Sequence, residues 1–467
     1  MFRSVEMPLW VLVLLVGFAA VTFASHFLFP SVRWFFRRRL ERAVAELNKR
    51  LERPIQPFKL ARRHDMIQRL IYDPQVHRAI LDHASAEGVP ENVAFERARR
   101  YAREIVPSFS ASTYFGFAIR AARLLSTSLY RVRLGHFDED GLKEIDPEAT
   151  VVFVINHRSN MDYVLVTYLA AERSALSYAV GEWAQVWPLS GLIRAMGAYF
   201  IRRKKRSPLY TQVLSRYVRL ATEAGVTQAV FPEGGLSLTG ALGPPKLGLL
   251  SYMIEGHDLD ERDVVFVPVA LNYDRVLEDQ ILIAADRAGR RQFRASVFEA
   301  ARFVARLVWL RLRGRYQRFG YAAVSFGAPV SLRAQGGNLR QLGRELNQRI
   351  GQIVPVLPVP LVARALLEGP CDLAALQARV RQAMETLPNA HVHIPRDDLG
   401  YTIENGLRNL RRRGAVTEDA AGLLHVPAEH LALVRYYAAS IAHLAPDAAS
   451  APETPPEVAD LSAPAGL

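Results

Sequence analysis

Three short apolar runs constrain the fold of this chain most: Val151-Val152-Phe153-Val154-Ile155, Gln228-Ala229-Val230-Phe231 and Val264-Val265-Phe266-Val267. Helical patterning separates them, and that alternation predicts an α/β layer on a mostly parallel sheet. A further strand, from Ala322 to Phe326, ends at Gly327 and Pro329. Before this layer the patterning is helical from about Val32 to Tyr130, with Ile67, Leu70, Ile71 and then Val76, Ile80, Leu81 at helical spacing. After Asn338 it is helical again until about Leu444, and the tail from Pro446, rich in Ala, Pro, Asp and Glu, reads as disordered. The expected organisation is an anchor with its flanks over 1–31, a helical N-terminal region over 32–130, the α/β domain over 131–335, a helical C-terminal region over 336–445 and a tail over 446–467.

The anchor is read from the stretch Leu9 to Phe29, which contains no Asp, Glu, Lys or Arg and is long enough as a helix to cross the hydrocarbon core. A cleaved signal peptide is the competing reading, but the run is long for one, and Phe27, Leu28, Phe29 and Pro30 make a poor cleavage site. Only Arg3 precedes the run, whereas Arg33, Arg37, Arg38, Arg39 and Arg42 follow it. The positive-inside rule then puts the rest of the chain in the cytoplasm, as a single-pass protein of the cell (inner) membrane. Trp34, Phe35 and Phe36 suit the headgroup layer.

The 467 residues are 50% apolar and 22% charged, enough for a core in two or three domains, so disorder does not describe the whole chain. The net charge of +13 admits nucleic acid, a membrane surface or an anionic substrate. The single cysteine, Cys371, excludes an internal disulfide framework and any multi-thiolate metal site.

Open α/β sheets bind ligands beyond the carboxyl ends of their strands. The first such end reads Asn156-His157-Arg158-Ser159-Asn160-Met161-Asp162, and one helical turn can bring the Asp162 carboxylate to the His157 imidazole. An aspartate on one ring nitrogen fixes the tautomer, leaving the other to take a proton from an attacking hydroxyl, a general-base dyad. The alternative is a histidine capping a helix whose first turn favours a carboxylate. The same spacing recurs at His77 with Asp82 and at His393 with Asp398, and neither pair follows a strand.

His157-Arg158-Ser159-Asn160-Met161-Asp162 is followed in order by Gly197-Ala198-Tyr199-Phe200-Ile201-Arg202-Arg203 and by Phe231-Pro232-Glu233-Gly234-Gly235-Leu236-Ser237-Leu238-Thr239-Gly240. Val267-Pro268-Val269 with Tyr273-Asp274-Arg275-Val276 completes the series, which resembles the four blocks of the glycerol-3-phosphate and dihydroxyacetone-phosphate acyltransferases. Leu70-Ile71-Tyr72-Asp73-Pro74-Gln75-Val76 resembles that branch's N-terminal helical region, and Val434-Arg435-Tyr436-Tyr437 with His443-Leu444 its C-terminal region. The resemblance implies transfer of a fatty acyl group from a coenzyme A or acyl carrier protein thioester to the sn-1 hydroxyl of glycerol 3-phosphate, with His157 as base and Asp162 as its orienter. It implies no metal and no cofactor beyond the thioester co-substrate.

On the same resemblance Arg158 and Ser159 join the acceptor site, and Arg202 and Arg203 hold its phosphate. Glu233 contacts the glycerol hydroxyls, while Gly234 and Gly235 let backbone N–H groups approach an anion, and Ser237 joins the substrate-binding residues. Pro268 shapes the acyl-side wall. A solvated or lipid-facing charge cluster is the plainer account of the later members of the run Arg202 to Arg206. The branch carries Gly-Gly-Arg-Ser-Arg-Thr-Gly in its third block, where this chain has Leu236 and Leu238. Lys246 resembles the lysine after that block and supplies one charge. Lysophosphatidate or dihydroxyacetone phosphate is the alternative acceptor, and a non-catalytic membrane scaffold is the reading from another class.

From Arg294 to Arg315, Val297, Phe298, Ala301, Val304, Leu307, Val308 and Leu312 alternate with arginines, either as an interfacial helix or as a core-facing helix with a basic outer face. There is no Gly-x-Ser-x-Gly elbow, phosphate-binding Gly-x-x-x-x-Gly-Lys loop, His-Glu-x-x-His or Cys/His cluster. Hydrolase, nucleotide and zinc readings fall away. A lipid bilayer is an expected partner and nucleic acid is not.

Overall fold

The computed structural model describes residues 8–170, 174–181, 185, 189–202, 207–289, 302, 305–306, 309–314, 316–336, 338–387 and 391–445, without the side chains of 19–37, 40 and 189. The chain forms two compact units, Met1–Ile55 and Gln56–Leu467. In the first, one helix runs Leu9–Asn48. The apolar stretch expected to be an anchor therefore starts a helix that continues past residue 31, and its described side chains from Leu9 to Phe18, such as Trp10 and Leu14, are largely exposed. Among the described residues no helix is long and apolar enough to cross a membrane. The side chains of most of the expected span, and of Arg33, Arg37 and the aromatic residues between them, lie outside the described residues.

The second unit is built on an eight-stranded sheet: β1 Arg131–Phe137, β2 Thr150–Ile155, β3 Ser177–Gly181, β4 Tyr199–Ile201, β5 Gln228–Val230, β6 Val264–Tyr273, β7 Tyr321–Phe326 and β8 Val330–Ser331. Their order is β1-β7-β6-β2-β5-β3-β4, with β8 beside β6. Strands β6, β2, β5, β3 and β4 are mutually parallel. The β1–β7 pair is parallel within itself and antiparallel to β6. The mostly parallel α/β sheet expected from the apolar runs is present. Strands β3 and β4 carry Gly, Tyr and Ser among few aliphatic residues, which hides them from an apolar-run reading.

β2 is buried along its whole length, as a parallel strand covered on both faces must be. Its side chains alternate between two cores: Val151, Phe153 and Ile155 enter one, Val152 and Val154 the other. The second core holds Leu70, Ile71, Val76, Ile80 and Ala98 of the N-terminal helices. The first holds Leu361, Leu376, Leu407, Val434 and Tyr437 of the C-terminal helices. The helical flanks thus supply much of the two outer layers of one sandwich. Asp73, with Pro74 behind it, caps helix Pro74–Glu87 by accepting the Gln75 N–H, and Asn338 caps helix Leu339–Gln352 in the same way.

Pro268 falls inside β6, opposite Val154. On its other edge β6 pairs with β8 at Val265–Phe266 and with β7 from Val269. Proline occupies the gap between the two ladders, where no donor is needed, and its carbonyl accepts the Gly327 N–H at 2.9 Å. Most of the stretch 294–315 and the tail 446–467 lie outside the described residues.

Candidate active site

Strands β6, β2 and β5 are neighbours and parallel, so the loops that follow them meet at one sheet edge. Asn156, just beyond β2, clamps this edge: its side-chain amide donates to the Leu271 carbonyl at 3.1 Å and accepts the Leu271 N–H at 2.7 Å, extending the ladder by one false residue. His157 follows, and the chain turns into helix Met161–Leu169, whose first turn carries Asp162.

His157 and Asp162 are 1% and 0% exposed. His157 Nδ1 lies 2.9 Å from Asp162 Oδ2, which also accepts the backbone N–H groups of Arg158 (2.7 Å) and Ser159 (3.0 Å). Asp162 Oδ1 accepts the Tyr273 hydroxyl at 2.6 Å. Burial among acidic and phenolic neighbours pushes the Tyr273 phenol well up, so it stays a donor. With Nδ1–H committed to Asp162, the His157 lone pair is on Nε2, which makes no hydrogen bond among the described residues. The ring stacks on Phe231 at 4.2 Å between centres, and Tyr163 meets it edge-on at 5.6 Å. Orientation, tautomer and ring plane are all held.

Glu233, from the loop after β5, reaches across to this turn. Its Oε1 accepts the His157 backbone N–H at 2.8 Å and its Oε2 the Gly243 N–H at 3.1 Å, so the carboxylate expected to face a ligand braces backbone. Burial pushes its carboxyl up to about 7, against the pull of those two N–H groups and of Arg158. Ser237 is also structural: its N–H donates to the His157 carbonyl at 3.0 Å, and its hydroxyl donates to the Ala241 carbonyl and accepts the Gly240 N–H. Gly234 sits at φ +67° with the Lys246 stem packed against it, and Lys246 N–H donates to the Pro232 carbonyl at 2.7 Å. Gly235 is buried in the same turn. Ser159 donates its hydroxyl to Glu278 Oε2 at 2.7 Å, and Glu278 Oε1 accepts the Asn160 N–H and side-chain amide.

The second block is not brought to the dyad. Arg202 follows β4, three strand spacings or roughly 14 Å from β2. Its guanidinium is held by Glu104 of helix Glu91–Ile105, at 2.9 and 2.6 Å, between the rings of Tyr101 and Tyr210. Arg203 lies outside the described residues. His77 and Asp82 are both exposed on helix Pro74–Glu87. Asp398 instead caps helix Leu399–Arg411, and the His393 N–H donates to Val356.

Residues beyond those expected also build the site. Tyr273 and Glu278 orient it; the signal for Tyr273 lay in the fourth block, where a strand-ending tyrosine beside a buried carboxylate has few purposes but a hydrogen bond, whereas Glu278 lies two residues beyond that block. Tyr436 arrives from helix Leu431–Ala439: the Arg158 guanidinium carbon is 5.6 Å from its ring centre. Leu236 and Leu238 rest on the hydrophobic core. Among the described residues no group of His, Cys, Asp or Glu could hold a metal ion.

A buried imidazole with a fixed tautomer, at a strand end and next to a buried cation, is an arrangement that can take a proton from a hydroxyl close to an anion. Residues 136–272 match the family model described as Acyltransferase. Over 82% of this chain, glycerol-3-phosphate acyltransferases of Pseudomonas syringae pv. syringae (29% identical over 423 residues) and Pseudomonas putida (29% over 426 residues) are similar. The match covers 49% of each, so the chain spans about half the length of the curated relatives it matches. Among solved structures, the 1-acyl-sn-glycerophosphate acyltransferase of Thermotoga maritima is similar over 51% of this chain and 76% of that chain, with 17% identity and a TM-score of 0.31. The chain thus carries an acyltransferase domain over residues 136–272 and is similar to glycerol-3-phosphate acyltransferases over most of its length.

Proposed function

We propose that this chain is a glycerol-3-phosphate 1-O-acyltransferase, transferring a fatty acyl group from acyl-CoA or acyl carrier protein to the sn-1 hydroxyl and producing lysophosphatidate for phospholipid synthesis. The observation that carries this reading is the His157–Asp162 pair at the end of β2, with Nε2 left for the substrate. Nε2 takes the hydroxyl proton as the oxygen attacks the thioester carbonyl; the C–S bond of the tetrahedral adduct then breaks, and the imidazolium returns the proton to the departing thiolate. Asp162 stabilises the imidazolium, and Tyr273 with the two backbone N–H groups holds Asp162 still. Arg158 supplies positive charge for the acceptor's phosphate. Glu233 and Ser237 position the His157 backbone, and Lys246 borders the same loop. A thiolate leaves readily, so the route uses no metal or cofactor.

Membrane attachment through the Leu9–Phe29 stretch, with the catalytic unit on the cytoplasmic side, belongs to the proposal. The exposed apolar side chains from Leu9 to Phe18 and the arginines after Phe29 support it.

The test is acyl transfer by membranes carrying the full chain, with glycerol 3-phosphate, dihydroxyacetone phosphate or lysophosphatidate as acceptor and either thioester as donor. His157→Ala is expected to abolish transfer to glycerol 3-phosphate with circular dichroism unchanged, and His77→Ala to leave it intact. Equal loss in both variants refutes the site, transfer only to another acceptor moves the substrate, and no transfer to any acceptor points to a scaffold.

A further inference from the structure

Arg158 is only 3% exposed, yet its Nε and Nη2 have no hydrogen-bond partner among the described residues. Guanidinium N–H groups deprived of both water and a hydrogen-bond acceptor are costly to bury, so a pair left in this state points to an anion that binds there. Two more buried polar atoms without partners lie in its neighbourhood: the hydroxyl of Tyr436, a residue 2% exposed, and Nδ1 of His443. The Arg158 guanidinium packs against the Tyr436 ring, and its charge reaches His443, where burial and that charge together disfavour the imidazolium. His443 Nε2 is 3.1 Å from the Gly351 carbonyl and so carries its proton there, which leaves Nδ1 for a ligand.

Arg158 and the two C-terminal side chains come from distant parts of the sequence, and the fold packs Arg158 against Tyr436. The Tyr436 carbonyl lies against Gly240, the last residue of the third block, so closely that a Cβ at 240 would fall 1.9 Å from it. Leu238 lines one groove with Arg435 and Tyr436. The two cations absent at positions 236 and 238 are thus missing from a loop that abuts the C-terminal helix, while Arg202 is committed to Glu104.

We propose that the phosphomonoester of the acceptor is held by Arg158 together with Tyr436 and His443, the last two contributed by the C-terminal helical region. The inference rests on the acyltransferase reading for the identity of the acceptor, though not for the existence of the anion site. Arg158 supplies the permanent charge and two donors, and the Tyr436 hydroxyl donates a third hydrogen bond. A phosphate dianion stabilises the His443 imidazolium, whose Nδ1–H donates a fourth.

Tyr436→Phe removes only the hydroxyl, and His443→Phe removes the ring nitrogens at similar size. Each is expected to raise the KM for glycerol 3-phosphate roughly ten-fold, leaving the KM for the acyl thioester and kcat near wild type. Inorganic phosphate should compete with the acceptor, and its Ki should weaken in parallel. Lysophosphatidate and free glycerol 3-phosphate, assayed separately, distinguish a lipid-borne from a soluble phosphomonoester. An unchanged acceptor KM in both variants, or a shift confined to the thioester KM, overturns the proposal.

A thermal-shift titration of the full chain with inorganic phosphate reads the site without catalysis. Stabilisation of the wild type that Tyr436→Phe loses, in a protein that transfers to no acceptor, keeps the anion site and removes the acyltransferase reading. No stabilisation of the wild type overturns the site itself.

Discussion

Asp162 binds His157 and two backbone N–H groups with one oxygen and Tyr273 with the other, so the spacing of the first block is only half of what makes the dyad. His77 with Asp82 has the same spacing, but both side chains are exposed on a helix that presents them to water. Tyr273 ends a strand adjacent to the one that delivers His157, and no spacing within the first block could announce it. Tyr273→Phe keeps the ring packing and deletes one hydrogen bond to the buried carboxylate, worth about 1.5–3 kcal/mol. The expected result is a kcat lower by roughly ten-fold or more, with both KM values within about two-fold, in steady-state acyl transfer. A change in KM alone would contradict an orienting role.

At the scale of elements, helix Leu431–Ala439 is tied to the catalytic loops by more than apolar contact. Asp279 accepts both Arg413 guanidinium nitrogens, at 2.6 and 2.9 Å, together with the Tyr437 hydroxyl, and the Val276 N–H donates to that hydroxyl. Asp274 accepts the N–H groups of Tyr321 and Val359, both at 2.8 Å, joining β7 and helix Pro358–Leu366 to the end of β6. The closest approach is at Gly240, with φ +85° and the Tyr436 carbonyl where a side chain would stand. Gly240→Ala therefore forces the third-block loop off this helix. Gly88→Ala meets the same backbone strain, at φ +61°, in open space. Strain alone costs about 1 kcal/mol, so thermal unfolding should show a clearly larger fall in Tm for Gly240→Ala than for Gly88→Ala. Equal falls would mean the loop and the helix separate freely.

For the whole molecule, buried carboxyls set the pH dependence of stability. Burial pushes Glu233 from 4.5 up to about 7, and Asp274 from 3.8 up to about 7. Between those limits the folded state binds protons that the unfolded chain has released, so stability falls as pH rises to about 7, from about 4.5 for Glu233 and about 3.8 for Asp274, and is level beyond it, by on the order of 3 to 4 kcal/mol for each group. Glu233→Gln cannot titrate. Urea unfolding at pH 5 and pH 8 should therefore show a smaller difference for this variant than for the wild type; the same difference in both would leave Glu233 without that role.

The central strands, the dyad, the helical flanks and the glycine-rich turn after β5 were legible in the chain because each is written in residues close together: an apolar run, a histidine one turn from an aspartate, a Phe-Pro-Glu-Gly-Gly end. The edge strands β3 and β4 were not, since short strands with few aliphatic residues lack the apolar signal. Arg202 looked like a phosphate ligand because a paired arginine at a strand end often is one. Glu104, which neutralises it, lies nearly a hundred residues earlier, and only the packing of helix Glu91–Ile105 on β4 brings the two together. Glu233 looked like a ligand group for the same reason, yet its carboxylate is taken by backbone N–H groups of two separate loops. By itself, then, the sequence determined the layer architecture and the pairing of His157 with Asp162, because periodicity and one helical turn are local properties. Tertiary structure alone decided which charges remain free to meet a substrate. A side chain's availability depends on what the fold packs against it, and for Arg158 those neighbours are Tyr436 and His443, almost three hundred residues away.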